Sequence, residues 1–179
     1  RMKISVFAYD FPHRRSNDFL VEIQRHHDID VVLAAPYKVL SFPKTKYRVS
    51  TNSSTPIHPR NVCEALKVPY ISIPHEQCSK EIKERRLDIG IVAGARILPA
   101  KVIKAFKFGV INFHPGIIPE NRGLDTVRWA IYHSLLQGVT VQWVDKRVDA
   151  GYKILTKTIN VQEKDTIPNI SHKLYNTKI

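Results

Sequence analysis

The 179 residues fit one domain and can bury roughly 70% of the surface that an unfolded chain of this size exposes, so a core needs no disulfide or metal staple. With 43% hydrophobic and 25% charged residues, the composition excludes wholesale disorder and a collagen-like fibre. Lys and Arg number 28 against 16 Asp and Glu, a formal net charge of +12, which attracts phosphates, nucleotides, nucleic acid or acidic substrates.

Residues 3–9 read as a buried strand, being short, apolar and rich in β-branched and aromatic residues. Residues 16–26 open with the cap-type Ser16, Asn17 and Asp18 and place Phe19, Leu20, Ile23 and His27 at helical spacing. Residues 29–35 are a second buried strand, and strand, helix, strand is the pattern of a parallel α/β sheet. From 36 to 63 the chain carries Lys38, Lys44, Lys46, Arg48 and Arg60 and no acidic residue. It reads as a long basic loop, and loops of that length are commonly functional or mobile. A short helix at 60–66, a strand at 69–73, a polar helix at 81–86 and a strand at 87–92 follow. Pro99 suits the first turn of a helix with Val102, Ile103 and Phe106 on one stripe. Residues 110–114 form a central strand that Pro115 and Gly116 must end. A helix at 124–135, strands at 139–144 and 153–159 and a helix at 165–176 complete the chain.

No repeat or linker divides it, so one domain over 1–179 is expected, with a further C-terminal region of a longer chain left open. The fold class is α/β, an open, mostly parallel Rossmann-like sheet with helices on both faces. Such sheets bind ligands at the carboxyl ends of their strands, near the topological switch point; here those ends are residues 9–15, 94–98 and 112–116. No apolar run approaches the ~20 residues of a membrane-spanning helix, and Met2 and Lys3 run directly into the first strand without a leader. No membrane partner and a cytoplasmic location are expected. Cys63 and Cys78 show neither Cys-x-x-Cys nor zinc-finger spacing, so they read as buried thiols, and no metal is expected.

The chemistry concentrates at Asn112-Phe113-His114. Side chains alternate along a strand, so Asn112 and His114 share a face while Phe113 points into the opposite layer. A hydrogen-bonding amide beside an imidazole can stabilise an oxyanion and manage a proton, although a structural histidine is the commoner occupant of such a place. Asp149 is the candidate carboxylate to orient and charge the imidazole, with Asp145 the weaker one.

The run Asn112-Phe-His114-Pro-Gly-Ile-Ile-Pro119-Glu-Asn-Arg122-Gly123, then Trp129-Ala-Ile, Gly138-Val-Thr140 and Val148-Asp149-Ala-Gly151-Tyr-Lys-Ile-Leu155, resembles the signature of the 10-formyltetrahydrofolate-dependent formyltransferases. That family includes the methionyl-tRNA, glycinamide ribonucleotide and sugar N-formyltransferases. The likeness is close over about 88–160 and extends to strand and helix order before that. It implies a formyltransferase catalytic domain with Asn112, His114 and Asp149 as the catalytic trio and 10-formyltetrahydrofolate as co-substrate. It also implies a folate pocket at Ala95, Arg96, Ile97 and Leu98, closed by a loop that includes Asp145 and Val148. Ile97 and Leu98 would supply its apolar wall.

The acceptor is less defined. Gln142 stands where many relatives have histidine, and Thr126 where the transfer-RNA enzymes commonly have proline. The turn after the first strand lacks the glycines with which glycinamide ribonucleotide enzymes hold a phosphate, so His13, Arg14 and Arg15 are the expected side-chain ligands for a substrate phosphate. The acceptor expected on this basis is a small phosphorylated amine, a phosphorylated or nucleotide-linked amino sugar. The transfer-RNA enzymes share the basic loop and suit a cationic chain, but continue into a carboxy-terminal barrel where this chain stops. Methionyl-tRNA formylation is the alternative, as are a non-catalytic nucleotide- or RNA-binding module of this fold and a formate-releasing hydrolase. A homodimer is compatible with any of these.

Overall fold

The computed structural model describes residues 1–39, 57–145 and 151–179. Seven strands, β1 (Ile4–Tyr9), β2 (Ile29–Ala35), β3 (Tyr70–Ser72), β4 (Ile89–Val92), β5 (Gly109–His114), β6 (Gly138–Trp143) and β7 (Lys153–Thr158), form one sheet in the order β3-β2-β1-β4-β5-β6-β7. The five strands β3 to β5 along that order pair in parallel. β6 is antiparallel to β5, and β7 to β6. The expected mostly parallel sheet is present, with an antiparallel margin that hydrophobic runs alone do not specify. Of the basic loop expected at 36–63, residues 40–56 lie outside the described residues.

The helices are α1 (Arg14–His26), α2 (Pro59–Leu66), α3 (Ser79–Arg85), α4 (Ala100–Ile103), α5 (Thr126–Tyr132) and α6 (Ile167–Lys178). Strand alternation splits the core between the two faces. Phe7, Val31, Leu33 and Val110 meet Ile82 of α3 and Val102 of α4 on one face. Val6, Ala8, Val32 and Ala34 meet Phe19 and Leu20 of α1 and Cys63 of α2 on the other. Ile170 and Leu174 of α6 close the second face over Val139, beside Phe113 and Val127. None of the described helices is long and apolar enough to cross a membrane.

Several elements differ from their sequence expectation by a few residues, and at three helices the local reason is visible. α1 starts two residues early, because the His13 side chain caps it by accepting from the Ser16 N–H. α4 is a single turn, closed by the Lys104 and Ala105 N–H groups. α5 is shorter than 124–135: Asp125 enters at φ 57, Ser134 turns at φ 52, and the Leu135 N–H folds back to the Ala130 carbonyl at 2.8 Å.

The switch point lies between β1 and β4, where the connections diverge to opposite sides of the sheet. Phe7 sits beside it, fully buried, with its ring edge-on to His75 at 5.0 Å and to Phe106 at 5.9 Å. Phe7→Ala should cost about 3–5 kcal/mol through lost transfer energy and the cavity it leaves. Urea titration is expected to show a lower midpoint with an unchanged slope.

Candidate active site

β5 gives one face to the candidate site and the other to the core. Val110 packs into the first core face, and alternation sends Asn112 and His114 to the same side. Phe113 goes the other way, its ring edge-on to Phe19 at 5.3 Å. The expected sharing of a face by Asn112 and His114 is therefore realised. β6 answers with polar residues: Gln142 pairs with Asn112 and Thr140 with His114, and Gln142 is only 2% exposed. The His114 ring is 4% exposed, with Nε2 2.8 Å from the Asn121 carbonyl oxygen.

The turn after β5 is fastened at several points. Thr140 donates from Oγ1 to the Gly116 carbonyl at 2.7 Å and accepts from the Ile118 N–H at 3.2 Å. Thr126 donates from its hydroxyl to the Pro115 carbonyl, which gives a structural use to a residue noted above as a departure from the family pattern. Thr140 was legible in principle, since it alternates with Val139 and Val141 in β6. Asn121 lies inside the family-like run quoted above, but neither spacing nor hydropathy assigns it a role.

Asp149 and Val148 lie outside the described residues, and their described neighbours fix only the flanks. Asp145 is half-buried just after β6, where the Val144 N–H donates to the Val110 carbonyl at 2.7 Å. A Cβ at Gly151 would fall 1.6 Å from the Trp143 carbonyl oxygen, so only glycine permits this approach. Trp143 in turn donates from its N–H to the Tyr152 carbonyl at 2.9 Å.

The segment expected to line a folate pocket splits. Leu98 turns into the first core face, whereas Ile97 is 74% exposed. Ala95 is half-buried against the same core, and Arg96 reaches across to donate to the Lys38 carbonyl at 2.6 Å.

His13, Arg14 and Arg15 diverge instead of converging on one point. His13 Nδ1 is occupied by the α1 cap, 3.2 Å from the Ser16 nitrogen. Burial, with the Arg15 charge, pushes its pKa down to about 4, so at neutral pH it is an uncharged cap and not a cationic ligand. Arg14 pairs with Asp18 at 3.4 Å and lies over the Tyr175 ring, 5.1 Å from its centroid. Arg15 points inward over Phe19 and donates from Nη2 to the Phe113 carbonyl at 3.3 Å. Its buried Nε has no hydrogen-bond partner among the described residues. Lys178 of α6 is close enough that burial and the Arg15 charge push its pKa down to about 8.

A further cluster escaped the sequence reading. Asp10, at the end of β1, accepts from the hydroxyls of Tyr70 and Ser72 and lies 3.5 Å from both His58 Nε2 and Arg60 Nη2. Burial alone would raise its pKa, but the two hydroxyl bonds and the charges of Arg60 and His58 outweigh that and hold it below the usual carboxylate value. The partners lie 48 to 62 positions away in the chain, beyond any local pattern.

The polar pair thus lies at the carboxyl end of a strand in an α/β sheet of the order given above. The chain belongs to the formyl transferase family, whose model, described as "Formyl transferase", matches residues 2–178. It is 35% identical to the methionyl-tRNA formyltransferase of Ehrlichia ruminantium (strain Gardel) over 138 residues, covering 75% of this chain and 45% of that one. The chain thus spans about half the length of the curated relatives it matches. Among solved structures, phosphoribosylglycinamide formyltransferase from Streptococcus pneumoniae TIGR4 superposes with a TM-score of 0.73 at 19% identity, over 99% of this chain and 93% of that one. A formyltetrahydrofolate deformylase from Pseudomonas syringae pv. tomato superposes at 0.74, also at 19% identity, over 99% of this chain and 58% of that one. At these identities the structural likenesses establish the fold.

Two consequences of burial can be measured. An unfolded histidine titrates near 6.5 and folded His13 near 4, so between those values the unfolded chain binds the extra proton and stability falls as pH drops. His13→Asn keeps a cap acceptor without titrating, and urea titrations across that range should show a shallower acid-side decline than for the parent chain. The Cys63 and Cys78 thiols are both pushed up to about 12, chiefly by burial. At pH 8 both should resist iodoacetamide in the folded chain and react fully once it is unfolded in urea.

Proposed function

We propose that the domain transfers the formyl group of 10-formyltetrahydrofolate to the amino group of methionyl-tRNA. The observation that carries formyl transfer is the shared face of Asn112 and His114 at the end of β5, in a chain whose whole length matches the formyl transferase family. The acceptor follows the sequence likeness, which is to methionyl-tRNA formyltransferases. That places methionyl-tRNA ahead of the phosphorylated or nucleotide-linked amino sugar expected from the sequence alone. An inward-facing Arg15 whose Nε has no partner among the described residues, beside Lys178, supports an acceptor that brings phosphate close to the strand end.

In this reading the neutral amine attacks the formyl carbon, a C–N bond forms, and the carbonyl electron pair moves onto oxygen. Asn112 donates from its amide to that oxyanion, and protonated His114 shares the charge. Asp149 accepts the proton that the attacking nitrogen releases. Collapse of the adduct breaks the bond to the folate nitrogen, which leaves with a proton supplied through His114.

Incubation with 10-formyltetrahydrofolate and, separately, methionyl-tRNA, a nucleotide-linked amino sugar and glycinamide ribonucleotide tests the reading. Tetrahydrofolate release is expected with methionyl-tRNA, and Asn112→Ala should lower kcat about 10²–10³-fold without unfolding the chain. Turnover with the amino sugar alone would reassign the acceptor. Failure to form either a formylated amine or formate would end the enzymatic reading.

A further inference from the structure

The turn between β5 and α5 holds His114 in a way that selects one of its two ring nitrogens. The ring is buried, and its Nε2 lies 2.8 Å from the main-chain oxygen of Asn121. A carbonyl oxygen can only accept, so Nε2 carries a hydrogen in both the neutral and the charged ring. Asn121 is itself 3% exposed and is fixed at both ends. Its N–H donates to the Ile117 carbonyl at 2.8 Å, and its side chain donates from Nδ2 to the Thr126 carbonyl at 2.9 Å. A Cβ at Gly116 would lie 2.5 Å from the Asn121 oxygen and 3.0 Å from His114 Nε2. The glycine is therefore what lets oxygen and ring meet.

We infer that Asn121 is a positioning residue for His114: its main-chain oxygen, steadied by its own side-chain amide, locks the imidazole with hydrogen on Nε2, so the proton exchanged during turnover resides on Nδ1. The inference rests on the catalytic reading of His114 and names the atom through which that residue acts. Ring orientation is set by the main chain, as a second-layer acceptor commonly sets a histidine tautomer. The Asn121 side chain makes its contribution at a distance from the reacting atoms, through the position of the oxygen.

Nitrogen-15 correlation spectra of the chain labelled at histidine test this directly, with the His114 signal identified by its loss in His114→Asn. The neutral ring should show hydrogen on Nε2; hydrogen on Nδ1 with a bare Nε2 overturns the proposal. Asn121→Leu removes the bond to the Thr126 carbonyl. It should lower kcat about tenfold to a hundredfold, leave KM for 10-formyltetrahydrofolate within about twofold, and turn the His114 signal into a mixture of tautomers. Unchanged kcat, or a loss of activity with an undisturbed tautomer signal, removes the positioning role. Should Asn121→Leu fail to fold, the parent spectrum still decides the tautomer. Should the parent formylate no acceptor, the enzymatic reading falls while the spectrum still decides how the ring is held.

Discussion

One strand both builds the core and carries the candidate polar pair, and the rest of the site depends on how β5 reconciles the two. Its alternation gives Phe113 to the packing beneath α1 and α6 and leaves Asn112 and His114 on the opposite face. A buried imidazole or amide costs free energy unless its hydrogen-bonding groups are met. The turn that follows β5 meets one of them at His114 Nε2. The proline and glycine that end the strand thus do more than stop it. Gly116 admits the Asn121 oxygen, and the Pro115 and Gly116 carbonyls anchor the turn to Thr126 and Thr140.

Net charge describes this molecule poorly at the scale of the site. The +12 chain keeps a neutral histidine at the mouth of α1 and a carboxylate, Asp10, held ionised by two hydroxyls and two basic groups. A helix N-terminus ordinarily offers its free N–H groups to an anion. At α1 the His13 ring already takes one of them, the Ser16 N–H. On the α1–α6 side, burial and the Arg15 charge push the Lys178 pKa down to about 8.

The fold was legible because its elements are short and strongly patterned: every strand and helix expected from hydrophobic spacing has a counterpart within a few residues. Asn112 and His114 were legible because a period of two is enough to put them on one face. The remainder depends on information that spacing does not carry. His13 reads as a basic residue until burial is known, and burial makes it a cap. Ile97 and Leu98 are neighbours of the same chemical type, and only the turn into α4 sends one to the core and the other to solvent. Asp10 owes its role to partners brought in by tertiary structure, and Asn121 to the way its own turn folds back on His114, where the acceptor is a main-chain oxygen that has no residue type at all.

The antiparallel margin of the sheet gives the strand end its polar lining. Side chains directly opposite on antiparallel strands lie about 4.5–5.5 Å apart at Cβ, so β6 can face each polar residue of β5 with one of its own. It does so twice, with Gln142 against Asn112 and Thr140 against His114. A slip of one residue would replace that pair with two of Val139, Val141 and Trp143 and turn Thr140 and Gln142 toward the apolar face. Val139 is buried against Ile170 and Leu174 on that face, so the hydrophobic packing of α6 holds the register that keeps the polar pairs aligned. Residues of α6 that touch no reacting atom therefore bear on the geometry of Asn112 and His114 through the strand between them.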